Sequence, residues 1–179
     1  MARYRLVRRR PEEKRQEKIL KIIFKNGIPL FQEGGEALEI SVECDGEPEL
    51  YVDGKLLGRG GRDFRLSLPL GDHTIEAKCN GLVETATARV VPSYNEAVIE
   101  YYERCFLPWA KGWGVTVDEL TPPGEIAETL TDMMYPWEPI DALTAIFEKA
   151  KYSGRRVSRE EFIRFYRSVL EVIGGGCVV

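Results

Sequence analysis

The sequence predicts an α+β chain of two units in tandem, a small antiparallel β-sandwich followed by a four-helix domain. Three observations carry the prediction. Between Leu38 and Val91, apolar residues recur at every second position in short runs divided by turn residues, the pattern of half-buried strands. From Ser93 onward the apolar spacing changes to three and four residues, with helix start and stop signals around each run. The two textures do not interleave, which separates sheet from helix along the chain. The expected divisions are a basic arm or helix at 1–26, the sandwich at 27–92, the helical module at 93–174 and a flexible tail at 175–179.

The arm comes first. Pro11 suits a first helical turn with Glu12 and Glu13 behind it, so a charged helix is expected as far as Lys25, with Ile19–Phe24 as its apolar end. Leu38, Ile40, Val42 and Cys44 then alternate with Glu39, Ser41 and Glu43 as a strand. Leu50 and Val52 repeat the pattern before Asp53-Gly54, a strong hairpin signal. Phe64, Leu66, Leu68 and Leu70 predict another strand, Gly71-Asp72 a turn, and Ile75, Ala77 and Cys79 the next strand, with a last one ending near Val91. About six short strands without an intervening helix favour a sandwich. The run from Leu68 to Gly81, in which a turn glycine precedes a corner residue and an alternating strand, resembles the later strands of compact immunoglobulin-like modules. That resemblance makes the first unit an immunoglobulin-like β-sandwich and implies nothing about activity.

The helices follow. Ser93 with Glu96 forms a capping box, and Ala97, Val98, Tyr101, Cys105 and Phe106 supply a buried stripe that Pro108 is expected to end. Trp109–Gly114 reads as an aromatic-anchored loop. Thr121 is the next expected N-cap, with Pro122 in the first turn and Ile126, Ala127, Leu130 and Met134 as the stripe. Pro136 and Pro139 bracket a break. Ile140, Leu143, Ile146, Phe147 and Ala150 lead to a Gly154 cap, and Ser158 with Glu161 opens a last helix through Phe162, Phe165, Val169 and Ile173. Four such helices can bury a shared core.

Leu120-Thr121-Pro122, Glu125–Glu128, Leu130, Leu143-Thr144, Phe147-Glu148 and Ala150–Gly154 together resemble an uncharacterised helical family, a domain of unknown function. That family recurs near the C-terminus of prokaryotic membrane proteins, alongside transglutaminase-like domains or in gene clusters with chaperone-type ATPases. The resemblance spans about residues 94–173. One departure stands out: the family's Thr-Pro-x-Glu is interrupted here by Gly124, which moves Glu125 one place beyond the capping position. The resemblance implies a non-catalytic regulatory or scaffold part of a membrane-tethered assembly and supplies no catalytic residue.

Charge is unevenly spread. Ten basic and three acidic side chains up to Lys25 give the first segment a net charge of +7, which leaves −11 on the remainder of a chain whose total is −4. Arg8, Arg9, Arg10 and Arg15 are accordingly the expected membrane or partner contacts, since clustered cations attract anionic lipid. The acidic body argues against nucleic acid, and no apolar run reaches the roughly 18 residues of a membrane span. Scarce Gln and Asn with 30% charged residues lean towards a thermophilic source.

Candidate chemistry is sparse. His73 sits at the sandwich corner, where hydrogen bonding to nearby backbone is expected. Cys44 and Cys79 close two inward-facing strand stripes and are either a disulfide or two buried thiols; a bridge closing their loop would contribute about 3.8 kcal/mol. Cys105 is expected in the helix core and Cys177 exposed on the tail, its Cys-Val-Val ending one residue short of a prenylation box. No spacing suits a metal, Gly58–Gly61 precedes no helix and so cradles no phosphate, and no cofactor or small-molecule substrate is expected. The reading is therefore a non-enzymatic interaction or scaffold module, cytoplasmic and tethered to the inner membrane face. Its rivals are an enzyme with a site between the Trp109–Trp113 loop and the helices, and a nucleic-acid module using the basic arm.

Overall fold

The computed structural model of the protein describes residues 19–118, 120–133, 137–175 and 177. Arg8, Arg9, Arg10, Arg15, Met134, Pro136 and the end of the tail lie outside them. The fold is mixed α+β, with two sheets and a C-terminal run of helices.

Among the described residues eight strands follow one another: β1 (Leu20–Phe24), β2 (Leu30–Gln32), β3 (Leu38–Cys44), β4 (Glu49–Val52), β5 (Lys55–Arg59), β6 (Asp63–Leu66), β7 (Gly71–Cys79) and β8 (Leu82–Val91). One sheet has the order β1-β3-β6, the other β2-β8-β7-β4-β5. Period-two alternation places Leu38, Ile40, Val42 and Leu66 of the smaller sheet against Leu50, Val52, Ile75, Ala77 and Ala88 of the larger, in one apolar core. Ile40, Leu50 and Ile75 are wholly buried; truncating any of them to Ala costs about 2–5 kcal/mol. The turns are sharp because Asp53-Gly54 and Asn80-Gly81 both adopt left-handed backbone, at φ 50° and 76°, and 50° and 78°, as two-residue hairpins require.

Three strand expectations need correction. The apolar end of the arm is a strand: Leu20, Ile22 and Phe24 face the core, and β1 pairs antiparallel with β3 along its whole length. Backbone pairing with β3 and burial of one face outweigh the weak helical preference of a short Ile-rich stretch. The sheets are not purely antiparallel, because the three-residue β2 pairs parallel with β8. The strand expected through Leu70 stops at Leu66; Leu68 packs half-buried on the core, Pro69 cannot donate to a ladder, and Leu70 is exposed.

The helical half begins with α1 (Tyr94–Tyr101), continues through a π-helical turn at Tyr102–Phe106 and runs on as α2 (Leu107–Gly112). Pro108 was expected to stop this helix. Instead the wider turn, in which Leu107 N–H donates to Tyr102 O, changes hydrogen-bond register just ahead of the residue that lacks an N–H. Helix continues through Trp109–Gly112, where a loop was expected. Next come α3 (Pro123–Asp132), α4 (Trp137–Tyr152) and α5 (Arg159–Ile173). Ser158 and Glu161 cap α5 reciprocally, and Gly174 ends it at φ 77°. Only half of the Ser93 box forms: Ser93 Oγ accepts from Glu96 N–H at 3.1 Å. Thr121 does not cap α3, whose N-cap is Pro122; its hydroxyl instead donates to Asp118 Oδ1 at 2.9 Å.

Tyr102, Phe106, Leu130, Ile140, Leu143, Phe162 and Phe165 fill a second core, which Leu30 and Val91 extend towards the sheets. Asn95 buckles the α4–α5 turn onto α1, donating to Ala150 O and Arg155 O and accepting from Val157 N–H. The two halves are joined by Arg159. Its guanidinium, 8% exposed, donates to Leu30 O, Tyr94 Oη and Asn26 O at 2.8 Å each and to Ile28 O at 3.3 Å. It also stacks 4.4 Å from the Phe31 ring centroid, and its Nε lies 3.5 Å from Glu36. A planar fork with five donors suits such a joint.

Candidate functional site

Large apolar side chains are left exposed in the segments on either side of α3 and at the two ends of α4. Leu120 (90% exposed) and Trp113 (55%) precede α3, Met133 ends it, and Trp137 (60%) and Tyr152 stand at the two ends of α4. Beneath them Ile126 and Leu130 close the core against α4. Exposed Trp and Tyr beside a closed core have the composition of interface centres.

Two grooves of about 480 Å³ each flank α3. The first is the place where a catalytic site was to be sought, between α2, α3 and α4. Its floor is Phe147, Ile126 and Leu107, and Lys151, Glu103, Asp118 and Thr121 in its lining are engaged in pairs. Lys151 Nζ donates to Glu103 Oε1 at 2.7 Å, which holds the ammonium above its usual pKa. Asp118 accepts from the Thr121 hydroxyl and Leu120 N–H, which hold its carboxyl below the usual range. Tyr102, stacked 3.7 Å from Phe147, is pushed up by burial. None of these three shifts moves a group towards neutral pH, where a general acid or base works best. Of the two tryptophans expected to anchor the site, Trp109 stacks on Phe106 at 5.9 Å and Trp113 meets Trp109 edge-on.

The second groove lies between α3 and α4. Glu128 and Asp132 enter it from α3, Asp141 and Glu148 from α4, with Trp137 at its rim and Thr144 within it. Gly124, Ala127 and Ala145 leave it wide because their side chains are small or absent. Among the described residues no group of three His, Cys, Asp or Glu converges as metal ligands. A third cavity, about 280 Å³, sits where the sheets meet the helices. There Arg89 is tied to Glu100 at 3.1 Å and lies 3.6 Å from Asp72, while burial pushes Tyr101 up to about 12.

His73 behaves as a corner residue. Its Nε2 lies 2.8 Å from Pro69 O and its Nδ1 2.8 Å from Asp53 Oδ2. Two acceptors call for two donors, so the doubly protonated ring fits. Asp53 correspondingly raises the His73 pKa above its ordinary 6.5. Cys44 and Cys79 are bonded, their Cα atoms 6.5 Å apart, across the ends of β3 and β7. Cys177 is not the exposed thiol expected: it is half-buried and bonded to Cys105, with Cα atoms 5.8 Å apart. Sequence reasoning missed the α3–α4 groove, because only the packing of α3 on α4 brings Glu128, Asp132, Asp141 and Glu148 to one face.

No family model matches the chain, and no curated protein matches it. Among solved structures, it is similar to a crystal structure of FMN-binding beta-glucuronidase from Facaelibacterium prausnitzii L2-6, at 21% identity and a TM-score of 0.35. That likeness covers 42% of this chain and 12% of that one, and it supports no statement about activity.

Proposed function

We propose that the chain is a non-catalytic interaction or scaffold part of a membrane-associated complex, in which an immunoglobulin-like sandwich carries a four-helix module that binds protein partners. The observation that carries this reading is the exposure of large apolar residues in the segments flanking α3 and at the ends of α4, outside a core that is already filled. A side chain such as Leu120, 90% exposed, contributes nothing to the fold that would offset its contact with water. The pairing of Lys151 with Glu103 and of Asp118 with Thr121 in the α2–α3 groove also supports a non-catalytic role. The resemblance of the helical half to a family found in membrane-protein assemblies points the same way.

The basic arm is assigned to an anionic membrane surface, with the body held on the cytoplasmic side. No helix among the described residues is long and apolar enough to cross a membrane. Two disulfides suit a cytoplasmic location in a thermophile, where intracellular proteins retain such bonds.

The partner test is the apparent size of the full-length chain in native extract, with and without Trp113→Ser and Leu120→Ser. A large complex that falls to monomer size in the double variant supports the reading; an unchanged elution profile sinks it. The membrane test is flotation with anionic vesicles, comparing the native chain with one carrying Arg8, Arg9, Arg10 and Arg15 as Gln. Equal weak binding by both removes the membrane assignment.

A further inference from the structure

We propose that the Cys105–Cys177 bond is a redox-sensitive strap: a dithiol reductant opens it, and release of Cys177 opens the wall of the cavity between the sheets and the helices. The Cys44–Cys79 bond, by contrast, is a permanent staple of the sandwich.

The two bonds differ in what they join. Cys44 and Cys79 end β3 and β7 and are 7% and 4% exposed. Both lie within paired ladders, Cys44 opposite Leu20 and Cys79 opposite Leu82, so breaking their bond releases neither. Cys105, in the π-helical turn, is buried as deeply, but Cys177 is only half-buried and belongs to no helix or strand. A reductant's thiolate must reach a sulfur to attack it, and Cys177 is the half within reach.

The link behind Cys177 is made to move. Only Gly174-Gly175-Gly176 joins it to α5. Gly174 and Gly175 hold left-handed backbone at φ 77° and 106°, and nothing lies within 4 Å of where a side chain would begin at either. Their N–H groups donate to Leu170 O at 3.1 and 3.2 Å. Cys177 itself makes no hydrogen bond among the described residues; its bond to Cys105 and its packing on the helical core hold it. A glycine link regains more conformational freedom than any other once its far end is freed.

Cys177 forms part of the wall of the 280 Å³ cavity where sheets meet helices. The rest of that wall includes Pro29 and Leu30 at β2, Arg89 of β8, and Tyr101 packed edge-on against Tyr166 at 5.4 Å. Loss of Cys177 therefore opens the seam beside the short β2–β8 pairing. The chemistry is thiol–disulfide exchange. One thiolate of the dithiol attacks Cys177 Sγ, the S–S bond breaks, and Cys105 leaves as a thiolate that takes up a proton. The second thiolate then displaces Cys177 from the mixed disulfide. Two electrons pass to the bridge, which becomes two thiols, and the reductant becomes a disulfide.

The test exposes the full-length oxidised chain to graded dithiothreitol near neutral pH. Samples are quenched in acid, unfolded and alkylated with N-ethylmaleimide, so that buried thiols are counted with exposed ones. Cys105 and Cys177 should appear as thiols about tenfold faster than Cys44 and Cys79. With that bond alone open, hydrogen exchange should rise about tenfold in residues 28–32 and 87–91, where Arg89 N–H donates to Pro29 O, and stay within about twofold in β3 and β7. Oxidised glutathione should restore the slow exchange, and Cys177→Ser should exchange fast at the seam with or without dithiothreitol. Reduction of both bonds together, or of Cys44–Cys79 first, overturns the proposal. So does an unchanged seam, or an equal rise throughout the chain, which marks an ordinary cross-link. Failure of oxidised glutathione to restore protection, or a Cys177→Ser seam that still answers to the reductant, overturns it as well. The measurements on the native chain decide the matter even where that variant does not fold.

Discussion

At the joint between sheets and helices, the buried Arg159 guanidinium donates to three carbonyls, Leu30 O, Asn26 O and Ile28 O, and to Tyr94 Oη, all within 2.8–3.3 Å. Between α3 and α4, four carboxylates line an open groove and pair with nothing among the described residues. One region has removed a charge from water and satisfied it; the other has left several in water and set them against each other. A buried, saturated charge holds structure, because removing it strands every group it served. An exposed, unsaturated set holds little, which leaves it free to meet something else. The contrast separates what this molecule uses to stay folded from what it presents.

The comparison breaks most readily at Arg159. Arg159→Ala should destabilise by about 3–5 kcal/mol, read from urea unfolding, and should split the transition as the two halves lose their common anchor. A loss under about 1 kcal/mol would mean that apolar packing alone makes the joint. His73 sharpens the comparison with a charge that is held only conditionally. Its folded pKa is raised above 6.5, so its contribution is full below that value and is lost as pH rises through the folded pKa. Asp53 is lowered from 3.8 by His73 and by Thr74 N–H, so its contribution is present above that value and lost as pH falls through its folded pKa. Stability should therefore decline on the alkaline side, and His73→Gln should remove that slope at a cost of about 1.5–3 kcal/mol below pH 6.5. Tyr94→Phe removes one partner of Arg159 and should cost about 1 kcal/mol. In the groove the sign reverses: Glu128→Gln with Asp132→Asn should stabilise by about 0.2–0.5 kcal/mol, visible as a small rise in the urea midpoint. A measurable loss there would mean that these acids serve the fold.

Legibility in the sequence followed how local the physics is. The Asp53-Gly54 hairpin and the Ser158–Glu161 box are settled by neighbours a few residues apart, and both could be named in advance. The β1 strand could not, because Ile23 breaks the visible alternation and its partner β3 begins more than a dozen residues later. A three-residue parallel strand such as β2 has no local signature at all. Pro108 was read by its usual effect, and the π turn that accommodates it depends on the packing of Tyr102 and Phe106. Arg159 did leave a trace: a cation in the first turn of a helix opposes the dipole, and that oddity needed a destination 130 residues back in the chain. The groove is the same lesson on the surface, since only the packing of α3 on α4 brings its acids to one face.

The two disulfides have a topological consequence. They close consecutive loops, 44–79 and 105–177, that neither nest nor cross. A proteolytic nick inside either loop leaves one covalent molecule on a non-reducing gel. A nick between Cys79 and Cys105 yields two pieces, each sealed by its own bridge, with Arg159 and the surrounding packing as the bond that remains. The segment carrying β8 and α1 is thus the single-stranded covalent link between the two bridged loops, and a protease map can find it by the sizes of the two bands.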